Sequence, residues 1–421
     1  MELLSEIFHI GLDEYDPDDH HTIKYLSTIS SICSTWRGAA LGTPLLWRRI
    51  IYHDHDTHPK TENPAISLHT QDRLLTYLSR SKSCSIVLRL HFGASSLKIQ
   101  AIKRILYPHL SHCLSIWLRF GWESGMGDFL PLPGNLCRLT EFTCVAVYFS
   151  FDTRPLLPIF AEPGTASLRK LVLDYSHPSL DNINVQDLED VRLMGIYDSW
   201  PECATFIPRC HSLTTLIITN FIPFSPRQPP FTLPNLVYLA TVGFIIFGVA
   251  HTPNLQTLIL SFDRDKAANT VLPSLPALTT LCVLCGDAIS EKITGLLALN
   301  TGIRRLALLQ CVGISDLVRL LKAEDMGSAE NTLGTMLLPS LSWLLACDTS
   351  VLDADEFQAL FARRPTLRIE HGGLSYIDSD ELKELIEELG HNNEPGVFKC
   401  HDFKHRVFEK EDGLPTCSAD A

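Results

Sequence analysis

Few residue constellations in this 421-residue chain could do chemistry, and each has a plainer reading. Cys282 and Cys285 make a C-x-x-C, the spacing shared by zinc knuckles and redox dithiols. The pair lies in LCVLC, an apolar run with strand character, and no second pair follows at zinc spacing. Both read as core cysteines. His53, His55 and His58 alternate with Asp54 and Asp56 in HDHDTHP, which offers metal-ligand types but reads as a solvated linker. Cys400, His401, His405 and Cys417 have ligand types at irregular spacing. His371-Gly372-Gly373 has the letters of an oxyanion loop, with no nucleophile turn to serve. The sequence has no Gly-rich phosphate loop, no H-E-x-x-H and no G-x-S-x-G. No catalytic residue, metal or cofactor is expected, and no convergent His, acid and nucleophile marks a hydrolase.

Composition narrows the class further. Hydrophobic residues are 45% and charged residues 20%, so the chain can bury a sizeable core. Asp and Glu number 48 against 35 Lys and Arg, a formal charge of −13 that disfavours phosphate backbones. Nucleic acid is not an expected partner. The opening MELLSEIFHI has Glu2 and Glu6 where a secretory signal needs positive charge. The longest apolar stretch, GFIIFGVA at 243–250, is far short of the ~20 residues a membrane helix needs. No membrane contact is expected. Thirteen cysteines scattered without framework spacing point to a reducing compartment, the cytosol or nucleus.

The elements that must position any site are written in a repeat. The chain has 66 leucines, and the phrase L-x-x-L-x-L recurs through its middle. Copies open at Leu168, Leu188, Leu213, Leu236, Leu255, Leu278, Ile303 and Leu341, which lie 20, 25, 23, 19, 23, 25 and 38 residues apart. In L-x-L the two apolar side chains share one face of a strand and the residue between points to the other. Proline-containing turns (TPN at 252–254, LPN at 233–235, LPA at 275–277, LPS at 338–340) stand before several strands. One such unit cannot bury its own face, so the pattern predicts stacking into an irregular leucine-rich-repeat solenoid over 83–376. The last gap holds a helical-looking insertion, SDLVRLLKAEDMG.

In seven of the eight copies the row between the last two apolar positions is Val172, Ile217, Ala240, Ile259, Cys282, Ala307 and Leu345, and it is short of charge. Beside it run Lys170, Thr215, Tyr238, Thr257, Thr280, Arg305 and Trp343. An apolar strip rimmed by polar and aromatic groups on an open sheet face predicts a protein-binding surface. Ile217, Tyr238, Ile259, Arg305, Trp343 and Leu345 are its expected substrate-binding residues.

The ends have helical periodicity. Leu3, Leu4, Ile7 and Phe8 form one stripe, and Leu26, Ile29, Ile32, Cys33 and Trp36 a second. A short third segment carries Ala40, Leu41, Leu46 and Trp47, with Pro44 near a helix start. DSDELKELIEELG has Asp378 or Ser379 as N-cap, Glu381 in capping-box position for Asp378 and a C-terminal Gly390, which predicts a capping helix over 377–395. The remainder, 396–421, is a polar tail.

ELLSEIF followed by ISSICSTWRGAALGTPLLWRRI resembles an F-box. Ile32, Cys33, Trp36, Arg37, Ala40, Leu46 and Trp47 fall in register with its V-C-x-x-W-R-x-x-A and final L-W pattern. The T-P-x-L-W ending, and LLTYLSRSKSCSIVLRLHF after it, resemble the F-box-like proteins of mushroom-forming fungi that carry degenerate leucine-rich repeats. The Leu-Pro that ordinarily precedes the first helix is not seen before Glu2, which implies weaker pairing than in relatives that have it.

The resemblance implies an α/β chain with an N-terminal three-helix F-box, an irregular leucine-rich-repeat solenoid and a C-terminal helical cap. The domains are then 1–52, an F-box-like helical domain; 53–82, a linker and helix; and the solenoid, cap and tail given above. It also implies a non-catalytic receptor subunit of an SCF-type cullin ubiquitin ligase. The helices would dock on a Skp-type adaptor of the cullin complex, and the repeats would hold an unidentified protein substrate. Leu3, Leu4, Ile7, Ile32, Trp36 and Trp47 are the expected adaptor-binding residues, some of which must instead form the small domain's core. The alternative is a leucine-rich-repeat interaction scaffold without ligase association.

Overall fold

A computed structural model describes residues 2–13, 20–54, 68–93, 96–121, 123–134, 136–146, 158–162, 167–174, 179–194, 201–219, 229–242, 245–262, 274–285, 291–309, 321, 338–347, 366–372 and 405–407. The chain divides into two compact units, Met1–Cys210 and His211–Ala421.

The first unit starts with α1 (Glu2–Asp13), α2 (His20–Ile32) and α3 (Ser34–Gly42), followed by a 3-10 turn at Pro44–Trp47. The Leu26-to-Trp36 stripe is not one helix, because Cys33 breaks it. Cys33 is extended (φ −157, ψ 172) and its sulfur accepts the Trp36 N–H, so it closes α2 and caps α3. Pro44 opens the 3-10 turn, where its missing N–H costs nothing. Ser5 and Thr43 hydroxyls meet at 2.7 Å and tie α1 to the start of that turn. Inside, Phe8, Leu12, Leu26, Ile29, Ala39, Ala40, Leu46 and Trp47 form one cluster, with Leu4, Tyr25, Trp36 and Tyr77 packed around it.

The same unit continues as a parallel sheet of β1 (Arg49–His53), β2 (Ile86–Phe92), β3 (Cys113–Phe120), β4 (Glu141–Ala146), β5 (Lys170–Asp174) and β6 (Asp190–Met194), paired in chain order. Helix α4 (Leu68–Ser81) crosses from β1 to β2, α5 (Ser96–Leu106) from β2 to β3, and α6 (Glu123–Phe129) follows β3. The first sheet strand therefore begins inside the 1–52 segment and pairs beyond it. The core face stacks Ile50, Leu88, Ile116, Phe142, Leu171 and Val191 across the strands, all buried.

The second unit opens after α7 (Pro201–Phe206) with β7 (Thr215–Ile218) and a small pair, β8 (Phe231–Thr232) with β10 (Ala250–His251). Its sheet continues through β9 (Tyr238–Val242), β11 (Thr257–Phe262), β12 (Thr280–Cys285), β13 (Arg305–Leu309), β14 (Trp343–Cys347) and β15 (Arg368–Gly372), all parallel. Helix α8 (Glu291–Leu299) lies between β12 and β13. β16 (His405–Val407) closes the edge antiparallel to β15, so part of the expected polar tail is strand.

Most copies of the phrase form the same local device. A turn bond precedes the strand: Leu236 N–H to Leu233 O, Leu255 to Thr252, Leu278 to Leu275, Ile303 to Asn300, Leu341 to Leu338. The strand's first residue then bonds back to the preceding copy, as Thr257 N–H does to Val237 O and Arg305 N–H to Thr279 O. Asparagine side chains hold some turns: Asn254 Nδ2 donates to Pro234 O at 2.7 Å, and Asn300 Oδ1 accepts Leu275 N–H.

The fold class expected from the repeat is nevertheless corrected. Strands β1–β6, and likewise β7, β9 and β11–β15, pair in parallel with interleaved helices, an α/β architecture, and a solenoid is not shown. The physical reason is that L-x-x-L-x-L encodes a turn and a strand but not the return path. The returns differ in kind: a helix after β1, a helix with a 3-10 turn after β2, short strands after β7 and β9. The predicted capping helix at 377–395 lies outside the described residues, as does the insertion at 315–327 apart from Leu321, which is helical and buried.

Candidate functional site

Helix α1 is apolar on two sides. Leu4, Phe8 and Leu12 recur every four residues and face the cluster. Leu3, Ile7 and Ile10 recur at i, i+4 and i+7 and are 74, 48 and 60% exposed. Ile32, at the end of α2, is 54% exposed, and Leu41 and Leu45 are exposed on α3 and the turn after it. A helix with an outward apolar stripe, beside an already complete core, is a candidate docking surface.

The six residues expected to bind an adaptor therefore divide. Leu3, Ile7 and Ile32 face solvent, while Leu4 and Trp36 are half-buried, the Trp36 ring 5.0 Å from Phe8. Trp47 is core. Its Nε1 donates to Ala40 O at 2.9 Å, Tyr77 packs edge-on at 5.2 Å, and the Arg80 guanidinium lies 4.3 Å over its ring. Ile10 and Leu45 were not anticipated, although the i, i+4, i+7 spacing from Leu3 was available for Ile10.

The expected substrate strip is in register but not open. Ile217, Ala240, Ile259, Cys282, Ala307 and Leu345 sit side by side on β7, β9, β11, β12, β13 and β14. They are only 1–3% exposed. This face is buried like the core face, as parallel sheets usually are on both sides. Tyr238 is also buried, so of the six expected contacts only Arg305 and Trp343 are half-exposed. The Arg305 guanidinium lies 5.1 Å over the Trp343 ring.

In the first unit the corresponding face is polar. His53 and His91 are register partners whose rings stand 4.1 Å apart, and the Trp117 ring lies 4.5 Å from His91. Arg89 pairs with Trp117 in register, and Arg119 pairs with His91. At the end of β1, Asp54 meets Lys98 of α5 at 3.0 Å, with side chains 6% and 9% exposed. None of this ladder was foreseen, because His53 reads as linker until β1 is seen to extend through it. Tyr52 faces the core, and its hydroxyl pKa is raised by burial and, second, by the Asp54 charge.

No group of three or more metal-ligating side chains is found among the described residues. Cys282 is a buried core cysteine. His55, Asp56, His58, Cys400, His401, Gly373 and Cys417 lie outside the described residues. Burial pushes the Cys113 and Cys210 thiols up to about 12, so neither is a thiolate at neutral pH. Among the described residues, no helix is long and apolar enough to cross a membrane. No protein-family model matches the chain, and no curated protein is significantly similar to it.

Proposed function

We propose that the chain is the substrate-recognition subunit of an SCF-type cullin ubiquitin ligase, acting in the cytosol or nucleus. The observation that carries this reading is the second apolar stripe of α1, Leu3, Ile7 and Ile10, turned away from a core that is complete without it. Together with Ile32 it offers a Skp-type adaptor apolar side chains on a small helical scaffold. The F-box-like register of Cys33, Trp36, Ala40 and Trp47 supports the same partner: Cys33 caps α3, and Ala40 and Trp47 hold the scaffold rigid.

The chain contributes position, not chemistry. Ubiquitin transfer belongs to other subunits, and a bound substrate reacts faster because tethering raises its local concentration. Arg305 and Trp343 remain in place as substrate contacts on the second unit, whereas Ile217, Tyr238, Ile259 and Leu345 act through the packing that supports them.

The test is capture of a purified Skp-type adaptor by the full chain. The double variant Leu3→Glu with Ile7→Glu is expected to lose capture with an unchanged melting curve, since both side chains are exposed. Capture unaffected by the double variant, or absent from the unaltered chain, overturns the reading and leaves an interaction scaffold.

A further inference from the structure

The far face of β1–β3, opposite the core, holds an arrangement that adaptor docking does not use. In a chain of formal charge −13, these three strands place Arg89, Arg119, His53, His91 and Trp117 together. The other side chains on this face of the three strands are Arg49, Ile51, Val87 and Ser115, so it carries no carboxylate. Asp54, just past β1, is held by Lys98 at 3.0 Å. The carboxylates on this face of β4 and β5 are Glu141, across from Ser115 at the other end of the strands, and Asp174, which is buried and two strands from Arg119 in its register row. The patch is therefore locally basic within an acidic molecule.

Its floor is aromatic. The His53, His91 and Trp117 rings follow one another at 4.1 and 4.5 Å and make a π surface across three strands. Arg119 is exposed, and Arg89, His91 and Trp117 are half-buried, so the patch opens to solvent on the Arg119 side. Planar guanidinium groups bind carboxylates through two parallel N–H donors, and flat rings beside them exclude water from one side of each bond.

We propose that this face binds an acidic peptide segment of a partner protein, in extended form, with its carboxylates at Arg119 and Arg89 and its apolar atoms on the Trp117 and His91 rings. Charge complementarity selects that occupant. The inference rests on the ligase reading only in taking the peptide to belong to a substrate; the binding itself stands apart from adaptor capture.

The experiment is fluorescence anisotropy with the full chain and three fluorescein-labelled probes. These are a peptide alternating Glu and Gly, its Lys-for-Glu counterpart, and a single-stranded oligoribonucleotide. The Glu peptide is expected to bind saturably, less tightly as salt rises, and the Lys peptide not at all. Arg119→Glu is expected to weaken it about tenfold, while Arg119→Lys keeps most of the affinity. Arg104→Glu, an exposed site on α5 and off this face, should change nothing. Trp117→Leu should weaken binding at every salt concentration. If that variant fails to fold, the exposed Arg119 decides alone. No saturable binding, an equal loss from Arg104→Glu, or preference for the oligoribonucleotide overturns the proposal. Peptide binding that persists in a chain that captures no adaptor overturns the ligase reading and leaves this one standing; the reverse result removes this one only.

Discussion

The strands of the two units present the same row of their far faces in opposite ways. In the first unit the row reads Ile51, Arg89, Trp117, Thr143, Val172, Arg192; in the second it reads Ile217, Ala240, Ile259, Cys282, Ala307, Leu345. The core faces behind them are alike, rows of Leu, Ile and Val, with Phe142 in the first, at full burial. Strand formation needs only the alternate apolar positions, so the residue between is free to decide what the other face does. One unit spends that freedom on charge and rings, the other on a second buried layer. The lesson concerns apolar strips. An uncharged row on a parallel sheet is as consistent with burial on both faces as with a binding surface.

The largest expected effect comes from forcing the second face to behave like the first. Ile259 lies between Ala240 and Cys282 and is 3% exposed, so Ile259→Asp buries a charge with no counter-ion and should cost about 4 kcal/mol. Thr143→Asp, at the matching place in the half-buried first face, should cost about 1 kcal/mol or less. Urea unfolding of the full chain measures both. Equal losses would break the comparison.

The next effect sharpens it at the Asp54–Lys98 pair, a strongly buried charge pair beside the first face. Lys98→Met strands the Asp54 carboxylate at 6% exposure and should cost about 3 kcal/mol. Adding Asp54→Asn should recover much of that loss, because no charge then remains buried. A double variant no better than the single would mean that the pair is not desolvated as a unit.

A smaller effect is expected at Asp190, where β5 and β6 carry the mixed-charge end of the same face. Arg192 Nε reaches both carboxylate oxygens, at 3.1 and 3.2 Å, and Lys170 stands 4.0 Å away. Asp190→Asn should cost about 1 kcal/mol by thermal unfolding, since both partners keep access to water. A loss as large as that of Lys98→Met would mean that this end is buried too.

What the sequence made legible follows from which forces act locally. The turn-and-strand phrase was legible because a leucine every second or third residue, and a proline or asparagine ahead of it, act within a few residues. So were α1 and the Pro44 turn. The break at Cys33 was not, since an apolar stripe continues across it and only the extended backbone with a sulfur cap ends α2 there. The solenoid expectation went past the sequence, because the phrase leaves the return path open. Burial of Ile217, Ile259 and Leu345 depends on neighbours from other strands, which alternation alone cannot report. The His53–His91–Trp117 ladder was invisible for the same reason: register brings together residues 38 and 26 positions apart. On α1, periodicity put Leu3 and Ile7 in one stripe with Leu4 and Phe8, and only packing separates the exposed pair from the inward-facing one.

The smallest expected effect tests whether charge on the first unit's surface matters to stability at all. Arg169 and Glu189 precede β5 and β6 and approach to 3.8 Å, with side chains 66% and 51% exposed. Their backbones are already joined, Glu189 N–H donating to Arg169 O at 2.8 Å, so the side chains add nothing to the register. Water screens the pair, and fixing two long side chains costs entropy of similar size, so Arg169→Ala should shift stability by about 0.5 kcal/mol or less. The shift should vanish in high salt, where the screening length falls to about 3 Å. A salt-independent loss above 1 kcal/mol would show Arg169 packing its aliphatic stem against the sheet rather than pairing. In that case the charged groups of the first face would be structural, and the contrast with the second unit would lie in which atoms are buried rather than in what each face can bind.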